Sequence, residues 1–285
     1  MIPSIAVLMT SFNRREKTLK TLASLVAQAT RMPRRLHIFL VDDASSDDTK
    51  GAVAVNFPQV QIIEGTGSLY WNGGMRLAFD YASGAGFDAY IWLNDDTELF
   101  PDAIDTLLST HLNLRAAGVT SIVTGSTCDP ITGDRTYGGM RRIMRPYRFD
   151  HIEVQPSPSE PISCDSMNGN CTLIPWEVAN RLGNLEPSFQ HHFGDIDYGY
   201  RARGAGFSVH VAPGFVGTCS SDLTGTWMDQ SLPIRDRWKI LMSPKGYRFG
   251  EWLLFVRRHY SYLWLMYFMV PYVKVLLPSR VHKVS

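Results

Sequence analysis

Short apolar runs alternate with segments of helical periodicity through the first 125 residues, and this alternation constrains the fold more than any other feature. The predicted strands are residues 5–10, 36–41, 60–64, 90–93 and 119–124. Between the first two, Leu19, Leu22 and Leu25 recur at helical spacing. Parallel neighbours in a sheet need a long crossover connection, which is usually a helix. The pattern therefore predicts an α/β fold with a doubly wound, mostly parallel central sheet.

Residues 126–165 lose this alternation and are rich in glycine and proline, so they predict hairpins and long loops. Regular patterns return with a strand at 171–175, a helix from Trp176, a helix around 197–204 and a strand near 208–212. We therefore expect residues 1–125 and 126–225 to form two halves of one domain. A distinct segment, 226–285, follows them.

The composition supports a folded protein in a reducing compartment. With 45% hydrophobic and 19% charged residues, the chain is not of the disordered class. The cysteines, at positions 128, 164, 171 and 219, match neither CxxC metal spacing nor a dense disulfide framework, so free thiols are expected. No basic region precedes the first apolar run, which favours a first strand over a signal peptide.

Residues 235–285 are strongly basic, with ten Lys and Arg against two acidic residues, whereas the rest of the chain is acidic. This imbalance predicts an anionic partner for the C-terminal segment. No zinc-finger spacing or RNP-like motif accompanies the charge, so nucleic acid is not the expected partner.

An uncharged run, residues 261–270 (SYLWLMYFMV), lies within the basic segment. It is too short to span a bilayer, which needs about 20 residues. Trp and Tyr flanked by Lys and Arg are typical of an interfacial helix. We therefore expect the segment to lie on an anionic membrane surface; a buried C-terminal helix or a homodimer contact are the alternatives.

Polar residues follow three of the predicted strands. They are Thr10-Ser11-Phe12-Asn13-Arg14, Asp42-Asp43-Ala44-Ser45 and Asn94-Asp95-Asp96-Thr97. Ligands bind beyond the carboxyl ends of parallel strands, so these side chains are expected to meet in one crevice. Paired acids need a compensating cation or donor-rich ligand, and their oxygens suit Mg²⁺ or Mn²⁺. For Ser45, Ser46, Asp47 and Asp48 we expect only capping of the following helices.

Signatures of other nucleotide-binding and hydrolytic classes are missing. Tyr70 stands where a dinucleotide-binding GxGxxG would have its third glycine. The sequence has no GxxxxGK[ST], GxSxG or HExxH, which argues against P-loop NTPases, α/β-hydrolases and zincins.

Taken in order, the motifs resemble those of the inverting glycosyltransferases of GT-A fold, family 2, over most of residues 4–220. The resemblance rests on the strand-end motifs, with Asn94-Asp95-Asp96 as the DxD-like element, on Gly194-Asp195-Ile196-Asp197, and on Tyr70-Trp71-Asn72-Gly73-Gly74. The last stretch is similar to bacterial rhamnosyl- and galactofuranosyl-type enzymes. The resemblance implies a Rossmann-like GT-A domain with a nucleotide-sugar half, 1–125, an acceptor-binding and catalytic half, 126–225, and a C-terminal helical tail, 226–285.

The resemblance also implies a role for each matching residue. On the donor side, Thr10 and Asn13 would contact the base and ribose, Asp42 the base N–H, Arg14 the diphosphate, Asp95 the ribose or donor sugar, and Asp96 a Mn²⁺ or Mg²⁺ ion. Asp195 would be the general base, with Asp197 as its rival. The sugar and acceptor would be contacted by Trp71, which we expect in a glycine-rich loop after a strand, and by Asn72, Gly73, His191 and His192.

Two residues depart from the family pattern. Members commonly carry an acidic residue before the base, where this chain has Gly194, and a metal-binding histidine some two dozen residues later, where it has Cys219. A thiolate suits Mg²⁺ poorly. The metal is therefore expected to be held by Asp96 with diphosphate and water, by Cys219 in addition, or by His192 or His210 as a substitute.

We therefore expect a bacterial, metal-dependent inverting glycosyltransferase acting in surface polysaccharide synthesis. Its donor would be a UDP- or dTDP-sugar, without excluding GDP, and its acceptor a saccharide or lipid-linked saccharide. The expected location is cytoplasmic, at the inner face of the cell membrane. Two alternatives stay open: a sugar-1-phosphate nucleotidyltransferase, and a non-catalytic subunit that binds sugar nucleotides or polysaccharide.

Overall fold

The computed structural model describes residues 4–29, 35–145, 148–221, 225–260 and 263–276. The described strands are β1 (Ser4–Ser11), β2 (Arg35–Asp42), β3 (Gln61–Glu64), β4 (Ala89–Leu93), β5 (Glu98–Leu99), β6 (Ser121–Cys128), β7 (Arg135–Tyr137), β8 (Gly139–Arg145), β9 (Arg148–Glu153), β10 (Ile162–Cys164), β11 (Ser166–Met167), β12 (Cys171–Pro175) and β13 (Ser208–Thr218). The described helices are α1 (Arg15–Ala29), α2 (Thr49–Asn56), α3 (Tyr70–Ala82), α4 (Ala103–Ala116), α5 (Trp176–Leu182), α6 (Gly194–Gly204), α7 (Ile234–Leu241), α8 (Phe249–His259) and α9 (Trp264–Leu276).

The larger sheet has the strand order β10-β13-β6-β12-β4-β1-β2-β3, with β5 paired to β13 and β7 to β6. Strands β3, β2, β1 and β4 are mutually parallel, and so are β6 and β13. Between these two groups β12 runs antiparallel to both neighbours. The predicted hairpin region supplies β8 and β9, which form a smaller sheet with β11. The doubly wound, mostly parallel sheet predicted from the sequence is confirmed.

Helices cover both faces of the larger sheet. On β1, Ile5, Val7 and Met9 pack on one side with the apolar faces of α1 and α4. The alternating residues Ala6 and Leu8 pack on the other side with α3, α5 and α6. A strand buried on both faces has an uninterrupted apolar sequence, which is why these runs could be recognised.

The strand register brings the polar segments to one edge of the sheet. Ser11 at the end of β1 lies opposite Asp42 at the end of β2. On the other side, Leu8 of β1 lies opposite Trp92 of β4, so the chain after Leu93 leaves the sheet beside the chain after Ser11. The three segments predicted to share a crevice therefore emerge together.

Helix α3 begins earlier than the sequence indicates. Trp71 was expected in a glycine-rich loop, but it lies in the first turn of α3. The usual capping residue is missing because residue 69 is leucine. Instead the Asp43 carboxylate accepts hydrogen bonds from the backbone N–H groups of Gly67, Leu69 and Tyr70, at 2.7, 2.8 and 3.2 Å. An acid from the end of β2 thus caps a helix far along the chain.

Residues 45–48 were predicted to cap the following helices, and of these Asp47 does so. Asp47 accepts hydrogen bonds from the backbone N–H groups of Thr49 at 3.1 Å and of Arg15 at 2.9 Å, at the starts of α2 and α1. Asp48 makes no side-chain cap bond. Ser45 and Ser46 bond to Asn13 instead.

The C-terminal helices α7, α8 and α9 are packed on the rest of the chain through an aromatic cluster. Phe189, Phe193 and Tyr200 pack there with Trp252 and Phe255 of α8. One face of the C-terminal segment is therefore buried. A buried C-terminal helix was the first alternative to a helix on the membrane surface. Residues 261–262 of the uncharged run, and Arg280 and Lys283 of the basic segment, lie outside the described residues.

The opposite face of α9 is apolar and exposed. Leu265, Met269, Val273 and Leu276 recur at helical spacing and are each about half-exposed. Within the described parts of the chain, no helix combines the length and apolar character required to cross a bilayer.

Candidate active site

A cavity of about 340 Å³ lies at the edge of the sheet where β1, β2 and β4 end. Its wall is formed by Thr10, Ser11, Phe12, Arg14, Asp43, Gly67, Tyr70, Trp71, Asp95, His191 and Lys245. Thr10, Arg14, Trp71, Asp95 and His191 were predicted site residues. Phe12, Asp43, Tyr70 and Lys245 line the wall without having been assigned a role.

The Gly-Gly pair of α3 allows this helix to approach the end of β1. A Cβ on Gly74 would overlap the hydroxyl of Thr10, and one on Gly73 would press against Leu69. Gly73 does not line the cavity. The glycines therefore set the position of Trp71 relative to Thr10, whereas the sugar contact expected for Gly73 stays a prediction.

Arg14 joins the two carboxylates of the DxD-like element. Its Nη1 lies 3.2 Å from Asp95 Oδ1 and 2.8 Å from Asp96 Oδ2. Burial raises the pKa of Asp95 to about 6, although the charge of Arg14 opposes this shift. Lys17 adds a second cation 3.9 Å from Asp96. The negative charges of Asp95 and Asp96 are thus compensated by cations of the protein itself.

Cys219 lies beside Asp96, at the place where the family pattern has a metal ligand. Its sulfur is 3.6 Å from Asp96 Oδ1, and the amide of Asn170 lies 3.6 Å from the same sulfur. Burial raises the pKa of the Cys219 thiol to about 12. The thiol donates to Asp96. Sulfur is a soft ligand that suits Mg²⁺ poorly, and metal binding by Cys219 stays a prediction.

The two histidines considered as substitutes do not lie beside Asp96. His192 Nε2 is 2.7 Å from the carbonyl oxygen of Lys245, and His210 Nδ1 is 2.8 Å from the Ser121 hydroxyl near the start of β6. In the described residues, no three His, Cys, Asp or Glu side chains cluster to hold a metal. Mg²⁺ is commonly held by one or two carboxylates plus substrate phosphates, and Asp95 and Asp96 fit that mode.

The two acids at the end of β2 have different surroundings. Asp43 lines the cavity, but its carboxylate is taken up by the start of α3. Asp42 is buried and does not line the cavity, and its Oδ1 has no hydrogen-bond partner in the described residues. The base contact predicted for Asp42 stays a prediction.

Asn13 and Asn72 hold segments together and are not part of the cavity wall. Asn13 Oδ1 accepts from the Ser46 backbone N–H at 2.7 Å. Asn72 is fully buried in α3, and its amide donates to the carbonyls of Glu186 and Phe189 at 3.0 and 2.7 Å. Asn72 was predicted to contact the sugar. Both N–H donors of its amide are bonded to backbone carbonyls, and the sugar contact stays a prediction.

Asp195 lies in the first turn of α6, as its motif predicts. Its Oδ2 accepts from the Gly169 backbone N–H at 3.0 Å and its Oδ1 from the Ile196 backbone N–H at 2.8 Å. Burial raises the pKa of Asp195 to about 6, against the effect of these hydrogen bonds. The group is thus ionised at neutral pH and more basic than an exposed aspartate.

The segment 168–170 connects Asp195 to the DxD-like element. Gly169 bonds to Asp195, while the neighbouring Asn170 contacts Cys219 and accepts from the Asn94 backbone N–H at 3.0 Å. The indole of Trp71 lies so close to Gly169 that a Cβ there would overlap it, and its Nε1 donates to Asn94 at 2.7 Å. Asp96 and Asp195 do not line the cavity, but this chain of contacts connects them, and Trp71, which does line the cavity, adjoins both segments.

Asp197, the rival base, is enclosed in a salt-bridge network. Its carboxylate is fully buried and lies 2.7 Å from Arg201, 2.8 Å from Arg258 and 2.8 Å from His259. Burial alone would raise its pKa, but the hydrogen bonds of His259 and Arg258 and the charge of Arg201 hold it below the usual value. A low pKa and full enclosure make Asp197 a poor proton acceptor.

His191 and His192 face different ways. His191 lines the cavity, its ring lies 6.1 Å from that of Tyr70, and its buried Nδ1 has no partner among the described residues. Burial lowers the pKa of His191 to about 3, so its ring is neutral. His192 instead joins the cavity to the C-terminal segment through Lys245.

The model of the family described as glycosyl transferase family 2 matches residues 6–169. No curated protein matches the chain. Among solved structures, a mannosyltransferase from Pyrobaculum calidifontis in complex with GDP-Man and Mn²⁺ is 17% identical, with a TM-score of 0.56; the match covers 96% of this chain and 70% of that one. The predicted GT-A fold is confirmed.

Proposed function

This chain belongs to glycosyl transferase family 2, and from that premise we propose that it is an inverting glycosyltransferase that moves a sugar from a nucleoside diphosphate to a saccharide acceptor. The predicted family resemblance is confirmed. The observation that supports the proposal is the chain of contacts through residues 168–170 that connects Asp96 with Asp195, beside a cavity lined by Asp95 and Trp71.

On the donor side, the nucleotide would enter between the end of β1 and the start of α3. The exposed ring of Phe12 offers a face on which a base can stack, and Thr10 and Ser11 offer hydroxyls. Arg14 would face the diphosphate. A divalent cation, Mn²⁺ or Mg²⁺, held by Asp96 and the phosphates would neutralise the leaving group. UDP- and dTDP-sugars are the proposed donors.

On the acceptor side, Asp195 would take the proton from the attacking hydroxyl. A base needs to lie within hydrogen-bond reach of that proton and to be ionised at the working pH. The pKa of about 6 meets the second condition. Because one displacement inverts the anomeric centre, the mechanism needs no covalent intermediate. Trp71 would pack on the sugar, and the neutral ring of His191 would supply a hydrogen bond.

Thermal unfolding with UDP, dTDP and GDP, each with and without Mn²⁺, tests the donor assignment. A ligand at 100 times its Kd stabilises by about 2.7 kcal/mol, which raises Tm by several degrees. We expect the largest shift for UDP or dTDP, enhanced by Mn²⁺, and release of the same nucleoside diphosphate when sugar donor and acceptor are supplied.

Two further results would identify the alternative functions. Release of pyrophosphate from a nucleoside triphosphate and a sugar phosphate would indicate a nucleotidyltransferase. Donor binding that is indifferent to Mn²⁺, without hydrolysis or transfer, would indicate a non-catalytic binding subunit. The thiol at position 219 and the lack of a three-residue metal cluster in the described residues give the second alternative its support.

The exposed face of α9 supports an anionic membrane surface as a further partner. Its apolar stripe, residues 265, 269, 273 and 276, is bordered by the exposed cations Arg257 and Lys274. Arg257 also lies over the ring of Trp264, 5.7 Å from its centroid. Apolar side chains flanked by Lys and Arg are suited to the headgroup region. We therefore place the acceptor among lipid-linked saccharides at the inner membrane face, in surface polysaccharide synthesis.

Co-sedimentation with vesicles tests the membrane face. We expect the protein to bind vesicles that contain phosphatidylglycerol, and not pure phosphatidylcholine, with binding weakened by salt. Replacing Leu265 and Met269 by glutamate should weaken binding by at least about tenfold. Ile131→Glu is the control, since Ile131 is an apolar residue 91% exposed in a remote turn. A dimer dispersed by the same double substitution, without vesicle binding, would assign the face to a second copy.

A further inference from the structure

The C-terminal segment contributes a lysine to the wall of the cavity. Lys245 lies in the turn between α7 and α8 and lines the same cavity as Thr10, Arg14 and His191. The sequence gives no sign of this, because position 245 is remote from every motif of the strand ends.

The turn that carries Lys245 is firmly held. The Gly246 backbone N–H donates to the Ser243 carbonyl at 2.9 Å, and the Lys245 backbone N–H to the Ser243 hydroxyl at 3.3 Å. A Cβ on Gly246 would overlap the carbonyls of Ile240 and Leu241, so the turn packs tightly on the end of α7. The bond between His192 and the Lys245 carbonyl ties the turn to the segment that precedes α6. The ammonium group is therefore presented from a fixed backbone.

The Lys245 ammonium has no acidic partner in the described residues, whereas the other cations of the site do. Arg14 is paired with Asp95 and Asp96, and Lys17 approaches Asp96. No described carboxylate forms a salt bridge with Lys245. Lys245 and His191 line the same cavity. Burial, and then the charges of His192, Lys245 and Arg14, lower the pKa of His191. An unpaired cation facing a cavity is suited to an anionic ligand.

We propose that Lys245 binds a phosphate group in the cavity and that this phosphate belongs to the diphosphate of the donor. This inference rests on the proposed function. The lysine shares the cavity with Arg14 and Thr10, where the nucleotide would lie, and a second cation there stabilises the charge that develops on the departing diphosphate. It is a point charge able to follow that group. A phosphate on a lipid-linked acceptor would offer the same chemistry.

Calorimetric titration of Lys245→Gln, Lys245→Arg and wild-type protein tests the inference. The probes are UDP, UMP, uridine, inorganic pyrophosphate, and farnesyl phosphate as an isoprenoid phosphate without a nucleotide. Lys245→Gln is expected to weaken the binding of UDP and of pyrophosphate by about tenfold and to leave the affinity for uridine unchanged. Lys245→Arg should restore most of the loss. Lys239→Gln is the control, because Lys239 is an exposed lysine of α7 that pairs with Asp236.

The outcomes separate this inference from the proposed function. Loss of farnesyl phosphate binding alone would keep the phosphate contact and assign it to the acceptor. Unchanged affinity of Lys245→Gln for all four phosphate probes would refute the inference. If wild-type protein binds pyrophosphate but no nucleoside diphosphate, the donor proposal fails, while a Lys245-dependent affinity for pyrophosphate would still support the lysine as a phosphate contact.

Discussion

Replacing Asp195 by asparagine is expected to lower the rate of sugar transfer by about three orders of magnitude while donor affinity stays unchanged. The amide keeps the shape of the carboxylate and one acceptor for the N–H groups of Gly169 and Ile196, but it cannot take a proton. The measurements are kcat from the release of nucleoside diphosphate and Kd for the donor by calorimetry. Asp134→Asn, an exposed aspartate in the turn before β7, is the matched control.

The pH dependence supplies a second readout for Asp195. Its pKa is raised to about 6, so the group is protonated and inactive below that pH, and kcat/KM should rise through about pH 6 rather than pH 4. Asp95 titrates in the same range, with a pKa of about 6, and it would act through donor binding. Measuring donor Kd over the same pH range separates the two. Substantial transfer by Asp195→Asn would remove Asp195 from the role of base.

Replacing Asp197 by asparagine is expected to destabilise the fold by about 3 kcal/mol, because it leaves two partly exposed arginines without their buried anionic partner. Three groups converge on this fully buried carboxylate, from Arg201 of α6 and from Arg258 and His259 of α8. Urea unfolding measures the loss. Asp236→Asn, which removes an exposed pair with Lys239, should cost no more than about 0.5 kcal/mol.

The stability difference between wild type and Asp197→Asn should also depend on pH. The folded-state pKa of Asp197 is depressed, so its contribution is complete above the unfolded value of about 3.9 and is lost as the pH falls through the lower folded value. The two proteins should therefore converge in stability only in strong acid. A stable Asp197→Asn protein without transferase activity, beside an active Asp195→Asn protein, would reverse the two assignments.

The sheet could be predicted because its strands are covered on both faces, and the site acids could be located because they directly follow those strands. The sequence could not predict that Asp43 caps α3 while Asp42 is buried with an unpaired oxygen. The chain leaves the sheet there, and Ala44 adopts a positive φ of 57°, so the alternation that tells which side chain faces which way no longer applies. The start of α3 was misjudged for a related reason, since its cap comes from Asp43.

Lys245 and the pairing of Asp197 were beyond local sequence patterns. Both depend on how α7 and α8 pack against Phe189, Phe193 and the start of α6, and no spacing rule links those positions. The sequence indicated a basic, apolar C-terminal segment and favoured its binding to an anionic membrane surface. Its buried face, which brings Arg258 to Asp197, follows only from the aromatic packing.

Gly194, which precedes Asp195, lies against Asn72 of α3. A Cβ on residue 194 would overlap the side-chain oxygen of Asn72, whose amide anchors the carbonyls of Glu186 and Phe189. Any side chain at position 194 would therefore require Asn72 to move. Gly194 thus preserves the anchorage of the loop that leads to Asp195.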